Sequence, residues 1–210
     1  MVVDSDGAIM KKLFLLISLI GASFYTSADF SGSATITNDY IWRGVSQGNG
    51  NAIQIGAEYE TDFGAYAGVW TSNVDFDDVT RETDYYAGIS FPVWADHINA
   101  DVGYIDYRYD ESEYDFEEWY SSVEFTDIGL ELFYAQTTGE IEDEFANATW
   151  TIPFIDFVDV GVIYNYFEED ESQILYSLSK EFDRITVSLL SGEDFITKED
   201  FVSVSFGISI

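Results

Sequence analysis

The sequence has no cysteine, a single histidine and little base: Lys and Arg together number 8 against 40 Asp and Glu, giving a formal net charge of −32. Without cysteine there is neither a disulfide framework nor a thiolate metal site, although an oxidising compartment is tolerated. His97 lies beside the turn-like Val93-Trp94-Ala95-Asp96 with no nucleophile or zinc-ligand motif around it, so Ser-His and His-metal chemistry find no support. Such an acidic surface repels nucleic acid and anionic headgroups and attracts cations. A phosphate-cradling loop is also missing, since Gly48-Asn49-Gly50-Asn51 reads as a flexible connector. No segment approaches the roughly 20 apolar residues of a membrane helix. Acids this common identify no catalytic dyad. The chain is therefore read as a non-enzyme without a cofactor.

What is present begins with an export signal. Lys11 and Lys12 precede an apolar stretch from Leu13 to Ile20, and small residues follow through Thr26-Ser27-Ala28. This pattern predicts a signal peptide over residues 1–28, cut near Ala28. Asp4 and Asp6 oppose the positive character of its first part, which makes Met10 the expected true start. Residues 29–210 form one domain, and removing 1–28 takes away two charges of each sign, leaving the net charge at −32.

That domain alternates. At its C-terminal end Val202, Val204, Phe206, Ile208 and Ile210 share one side of a strand, while Ser203, Ser205, Gly207 and Ser209 share the other. Similar segments of about ten residues recur upstream. Their connections alternate between tight turns, such as Thr61-Asp62-Phe63-Gly64 and Thr126-Asp127-Ile128-Gly129, and acidic ones around Asp75–Glu82, Asp110–Asp115, Glu140–Glu144, Glu168–Glu171 and Glu193–Asp200. Up-and-down strands carry alternate connections to opposite ends, so the rhythm predicts a tight rim and an acidic rim. The fold class is all-β: an up-and-down antiparallel transmembrane barrel of about 12 strands, with ten as the alternative count. The expected strands are 32–43, 52–60, 64–74, 83–92, 97–109, 114–125, 128–137, 145–153, 157–167, 173–181, 185–192 and 201–210; in 83–92 and 145–153 either face reads as outward.

A soluble lipocalin-type barrel is the rival, because alternation does not say whether the apolar face meets lipid or an internal cavity. Aromatic placement favours lipid. Tyr40, Trp42, Tyr107, Tyr109, Tyr164 and Tyr166 are expected near the acidic rim, and Tyr59, Phe63, Trp94, Phe125, Phe154 and Phe182 near the tight rim, as two interfacial girdles.

The polar face then lines a lumen. Its candidate selectivity residues are Asp39, Arg43, Glu58, Glu60, Asp101, Glu131 and Asp159, with Thr35, Thr37, Gln54, Glu124 and Asn165 on the same face. Asp39 is four residues from Arg43, about 13 Å along an extended strand, so the arginine is expected to pair with an acid on another strand and pin the first loop; a solute-binding role is the alternative. Asp75, Asp77 and Asp78 are weak metal candidates, because they offer hard oxygens without the spacing of an EF-hand. Loops under about a dozen residues are expected to be too short to form a plug, whereas Phe133 and Phe167 would narrow the bore if they face inward.

Two runs carry a family likeness. Asn38-Asp39-Tyr40-Ile41-Trp42-Arg43-Gly44-Val45-Ser46-Gln47, with Gly64-Ala65-Tyr66-Ala67-Gly68-Val69-Trp70-Thr71-Ser72-Asn73-Val74-Asp75-Phe76, resembles the N-terminal part of the TorF-type porins, exported proteobacterial proteins of poorly defined function. The likeness is specific over residues 30–92 and weakens beyond, and the terminal Ile210 departs from the aromatic residue that often ends such barrels. It implies an outer-membrane barrel and pore activity, and brings no site residues with it. The expectation is a channel in the outer membrane of a Gram-negative bacterium, in contact with lipid, passing small hydrophilic solutes and preferring cations; nucleic acid is not an expected partner. The alternative is a non-conducting barrel whose acidic loops bind divalent cations or an envelope partner. Neither the permeant solute nor the oligomeric state is legible.

Overall fold

The computed structural model describes residues 29–48, 50–138, 143–155, 157–167 and 172–210. The expected signal peptide, Glu140, Glu142 and the acidic run 168–171 lie outside the described residues. In chain order the strands are β1 (Asp29–Thr37), β2 (Ile41–Trp42), β3 (Val45–Ser46), β4 (Ala52–Glu60), β5 (Ala65–Phe76), β6 (Val79–Trp94), β7 (Ile98–Tyr109), β8 (Phe116–Phe125), β9 (Leu130–Thr138), β10 (Glu144–Thr151), β11 (Asp159–Phe167), β12 (Ser172–Phe182), β13 (Ile185–Glu193) and β14 (Asp200–Ser209). Twelve of them close into one antiparallel barrel in which β14 returns to β1, while β2 and β3 pair only with each other.

Closure follows from the period-two pattern. In β12, Ile174, Tyr176 and Leu178 stand exposed on the outside, while Gln173, Leu175, Ser177 and Ser179 are buried on the inside. In β4, Ile53, Ile55 and Tyr59 face outward and Gln54 and Glu58 inward. In β6, Glu82, Asp84 and Tyr86 are buried inward and Tyr85 is exposed; in β10, Phe145, Thr149 and Thr151 point in and Trp150 out, which settles the two strands whose faces were ambiguous. An exterior bearing Val69, Val102, Leu132, Phe206 and Ile208 would be a very large apolar patch in water, but it suits hydrocarbon. A closed ladder also leaves no strand edge unpaired, as a bilayer requires.

Three expectations change. The first strand ends at Thr37 rather than running to residue 43, because the chain turns inward after it and residues 41–46 form the β2–β3 hairpin. The acidic connection near residue 75 shrinks to Asp77-Asp78, since β5 and β6 continue to Phe76 and from Val79. Of the acidic-rim aromatics, Tyr164 and Tyr166 face outward as expected, but Tyr40 and Tyr107 are buried inside, with Trp42 and Tyr109 packed against the same interior cluster. The tight-rim residues Tyr59, Phe63, Trp94, Phe154 and Phe182 are exposed.

The outward face can be checked with single cysteines carrying bimane in bilayers. Bromine-labelled lipid is expected to quench the probe at Val204→Cys and Ile208→Cys and to spare it at Ser203→Cys and Ser205→Cys.

Candidate functional site

Inside the barrel lies a cavity of about 530 Å³ that reaches from Ala95 and Asp96 at the tight rim to Tyr40–Gly44 near the acidic rim. Its two walls differ chemically. Strands β4 to β9 contribute Glu58, Glu60, Asp101, Glu118, Glu124 and Glu131 together with Tyr66 and Tyr120. Strands β12 to β14 and β1 contribute small hydroxyls: Ser177, Ser179, Ser188, Ser203, Ser205 and Thr35. On the acidic wall each of three inward tyrosines faces a glycine across the ladder, Tyr86 with Gly68, Tyr66 with Gly88 and Tyr120 with Gly103. A Cβ on any of these glycines would lie 2.3 Å from an atom of the tyrosine, so the ring rests flat against the neighbouring backbone.

The hairpin that crosses the bore is built on a two-residue turn. Arg43 and Gly44 both have positive φ, 49° and 81°, as a type I′ connection requires. Glycine is obligatory at the second position, because a Cβ there would also meet Gln173 Oε1 at 1.8 Å. Arg43, held in a conformation that is costly for a side-chain-bearing residue, donates through both terminal nitrogens to Glu118 on β8, at 2.8 and 2.7 Å. Its guanidinium sits 4.4 Å from the ring centre of Trp42 and 4.2 Å from that of Phe145, and Tyr107 adds a hydroxyl to Glu118 at 3.2 Å. The acid on another strand that the spacing called for is thus Glu118, reached from the hairpin turn rather than across neighbouring wall strands, and the pair is buried: the Glu118 side chain is 2% exposed. The motif's solute-binding alternative loses its free cation.

Other anchors surround the hairpin. Gly44 O accepts from Gln173 Nε2 on β12 at 3.0 Å and from the Phe195 amide at 3.0 Å. Gln47 O accepts from the Asp75 amide at 2.9 Å, and Ser203 Oγ on β14 donates to Asp39 O at 2.6 Å. Tyr40 packs on Trp70, and Trp42 on Tyr107 and Phe116. The loop between β1 and β4 is thus an inward plug despite its length, contrary to the expectation that no loop could serve as one. Phe133 lines the cavity, and the rings of Phe133, Phe145, Phe167 and Phe195 continue one another toward the acidic rim.

Asp194, in the loop between β13 and β14, bolts the hairpin to that loop. Its carboxylate accepts from the amides of Ser46 at 2.8 Å, Ile196 at 3.0 Å and Thr197 at 2.7 Å. Partial burial works against its ionisation, but these hydrogen bonds outweigh it and hold the Asp194 carboxyl below its ordinary value. Asp39 moves the other way: burial raises it, the Ser46 hydroxyl opposes, and the Asp194 charge adds to the rise.

Asp39, Arg43, Glu58, Glu60, Asp101 and Glu131 all line the cavity. Asp159 lies on the inward side of β11, paired with the cavity-lining Ser179, but at the strand's tight-rim end and outside the lining. Asp75, Asp77 and Asp78 do not converge: no group of three or more His, Cys, Asp or Glu that could hold a metal occurs among the described residues. His97 pairs with Asp127 at 2.8 Å between two tight turns, both side chains largely exposed. Glu82, Asp84 and Glu118 were not anticipated. Asp84 is fully buried with neither carboxylate oxygen hydrogen-bonded within the protein, beside Glu82, which accepts from Tyr109 Oη at 3.1 Å.

A closed twelve-stranded barrel with an apolar exterior, a polar lumen and an inserted hairpin belongs to the class of outer-membrane-type β-barrels. Residues 22–151, more than half of the chain, match the family described as "Bacterial protein of unknown function (Gcw_chp)", and the protein belongs to it. No curated protein matches the sequence. Among solved structures, the KdgM porin is similar at a TM-score of 0.59 and 10% identity over 85% of this chain and 96% of that one. The KdgM porin in complex with disordered oligogalacturonate is similar at 0.58 and 8% identity, over 86% and 95%. At these identities the likeness is one of fold.

Removing one member of the buried pair leaves the other uncompensated. Arg43→Ala is expected to destabilise the barrel by about 3–5 kcal/mol in urea unfolding, with Arg43→Met/Glu118→Leu recovering most of the loss. A depressed carboxylate stabilises above its unfolded pKa of about 3.9 and loses that contribution as pH falls through the lower folded value. Acidification below about pH 4 should therefore loosen the hairpin in the wild type, read as a lower protection of the Ser46 amide once its exchange is referred to the intrinsic rate at each pH, and Asp194→Asn should abolish that loss.

Proposed function

We propose that this protein is an outer-membrane channel for small hydrophilic solutes, that it prefers cations, and that its β2–β3 hairpin restricts the pore. The observation that carries the reading is the charge balance of the lumen. Acids line one wall from the tight rim upward, while Arg43, the one basic residue among the cavity-lining ones, is already neutralised by Glu118. A water-filled lumen of that sign concentrates cations and rejects anions. The KdgM likeness supports a porin-type barrel but does not extend to its oligogalacturonate, an acidic sugar that this lumen would repel. Placement with the TorF-type porins rests on the two N-terminal motifs, of which the first forms the plug itself.

A second reading, a non-conducting barrel, is favoured by one feature: hairpin anchors on β5, β8, β12 and β14 surround the bore. Planar-bilayer recording separates the two. Conductance steps with a reversal potential of cation-selective sign in a KCl gradient are expected, with larger steps in Arg43→Ala. Silence from both proteins, or anion selectivity, would overturn the channel reading.

A further inference from the structure

The acids of the lumen are spread along the wall rather than gathered at one point. Glu58 and Glu60 are two residues apart on β4, about 6.6 Å along the strand, Asp101 is on β7, and Glu124 and Glu131 oppose each other directly across β8 and β9. Like charges placed opposite one another destabilise a ladder unless a cation offsets them. Among the described residues no metal-holding group forms, so one compact ion could not engage these carboxylates together.

Independent of the charges, the lining holds buried acceptors with no hydrogen-bond partner in the protein. They are Glu58 Oε2, Thr149 Oγ1 and Ser177 Oγ, on residues 6%, 3% and 4% exposed, with the half-buried Asn147 Oδ1 beside Thr149 on β10. Gln54 Nε2 is an unpartnered donor among these lining groups, and the Thr149 and Ser177 hydroxyls can donate as well as accept. Unfilled buried acceptors call for a ligand rich in N–H or O–H donors. Between them the cavity presents Tyr66, Trp70, Tyr120, Phe133 and Ile105, surfaces that suit methylene groups and the flank of an ammonium. A volume of about 530 Å³ falls in the range of small-ligand sites.

We infer that the lumen binds elongated organic polycations, linear diamines and polyamines whose ammonium groups are separated by methylenes. The carboxylates take the ammonium groups, the hydroxyl wall accepts their remaining N–H bonds, and the aromatic surface covers the chain between. This rests on the reading of the lumen as the solute pathway and names the solute class it selects.

The test uses the full-length mature protein with its barrel refolded. Cation selectivity is first measured in KCl alone, which decides the channel reading. A series of α,ω-diamines of equal charge and increasing length, then spermidine and Mg²⁺, is next applied to the tight-rim side. Half-blocking concentration is expected to fall with chain length, to be lower for spermidine than for Mg²⁺, and to rise about tenfold in Glu58→Gln/Asp101→Asn while staying unchanged in the exposed-loop control Glu111→Gln/Glu113→Gln. Equal potency for all diamines and Mg²⁺ would mean charge screening alone and overturn the inference with the channel reading intact. If no current is seen, calorimetric titration of the same ligands into micelle-bound protein gives the same comparison. Length-dependent heat then upholds the binding inference, and its absence refutes it. The length series needs only wild-type protein, so a variant that fails to fold does not remove the test.

Discussion

Everything in this molecule depends on a closed hydrogen-bonded ladder whose side chains alternate between two media. Because β14 returns to β1, with Ser209 opposite Ser33 and Ser205 opposite Thr37, no wall strand is left with an open edge. Each residue is thereby committed to one side. The outward positions are mostly apolar, and the interior must then accommodate the polar and ionised groups beside its inward rings. An acid-rich chain can tolerate this only where water or a counter-charge reaches the inside.

The hairpin is where that constraint is locally suspended. Tyr40, Ile41 and Trp42 follow β1 and are apolar or aromatic, yet they do not continue it. They turn inward and find a collar of inward rings, Trp70, Tyr107 and Phe116, which makes the upper lumen resemble a small protein core. Arg43 is placed at its tip, where a buried guanidinium is tolerable only with a bidentate acid and two aromatic faces around it.

The number of wall strands and their alternation were legible because they are local and periodic. Val202 to Ser209 and Ile53 to Glu60 state their faces without help from the rest of the chain. The plug was not legible: Ile41, Arg43 and Val45 alternate with Trp42, Gly44 and Ser46 as well as any strand does, and only contacts with Glu118 and Gln173 distinguish an inserted hairpin from an extended wall. Arg43-Gly44 was a signal, since glycine after a polar residue between β-formers suits a tight hairpin turn. Glu118 was within reach of the same parity argument that placed Glu124, six positions later on the same strand, inward. Asp84 was hidden by Tyr85 and Tyr86, adjacent rings that made either face of that segment plausible as the outer one. Signal-peptide processing concerns residues outside those described.

The plug has an implication for the order of assembly. Its turn lies just after the first strand, but the groups that seat it are far along the chain: Glu118 is 75 residues beyond Arg43, and Gln173 is 129 beyond Gly44. A nascent barrel of the first few strands has nowhere to lodge the guanidinium. Docking must wait until β8 and β12, the sixth and tenth of the twelve wall strands, are in place, so a seated hairpin certifies that the cylinder around it is nearly whole.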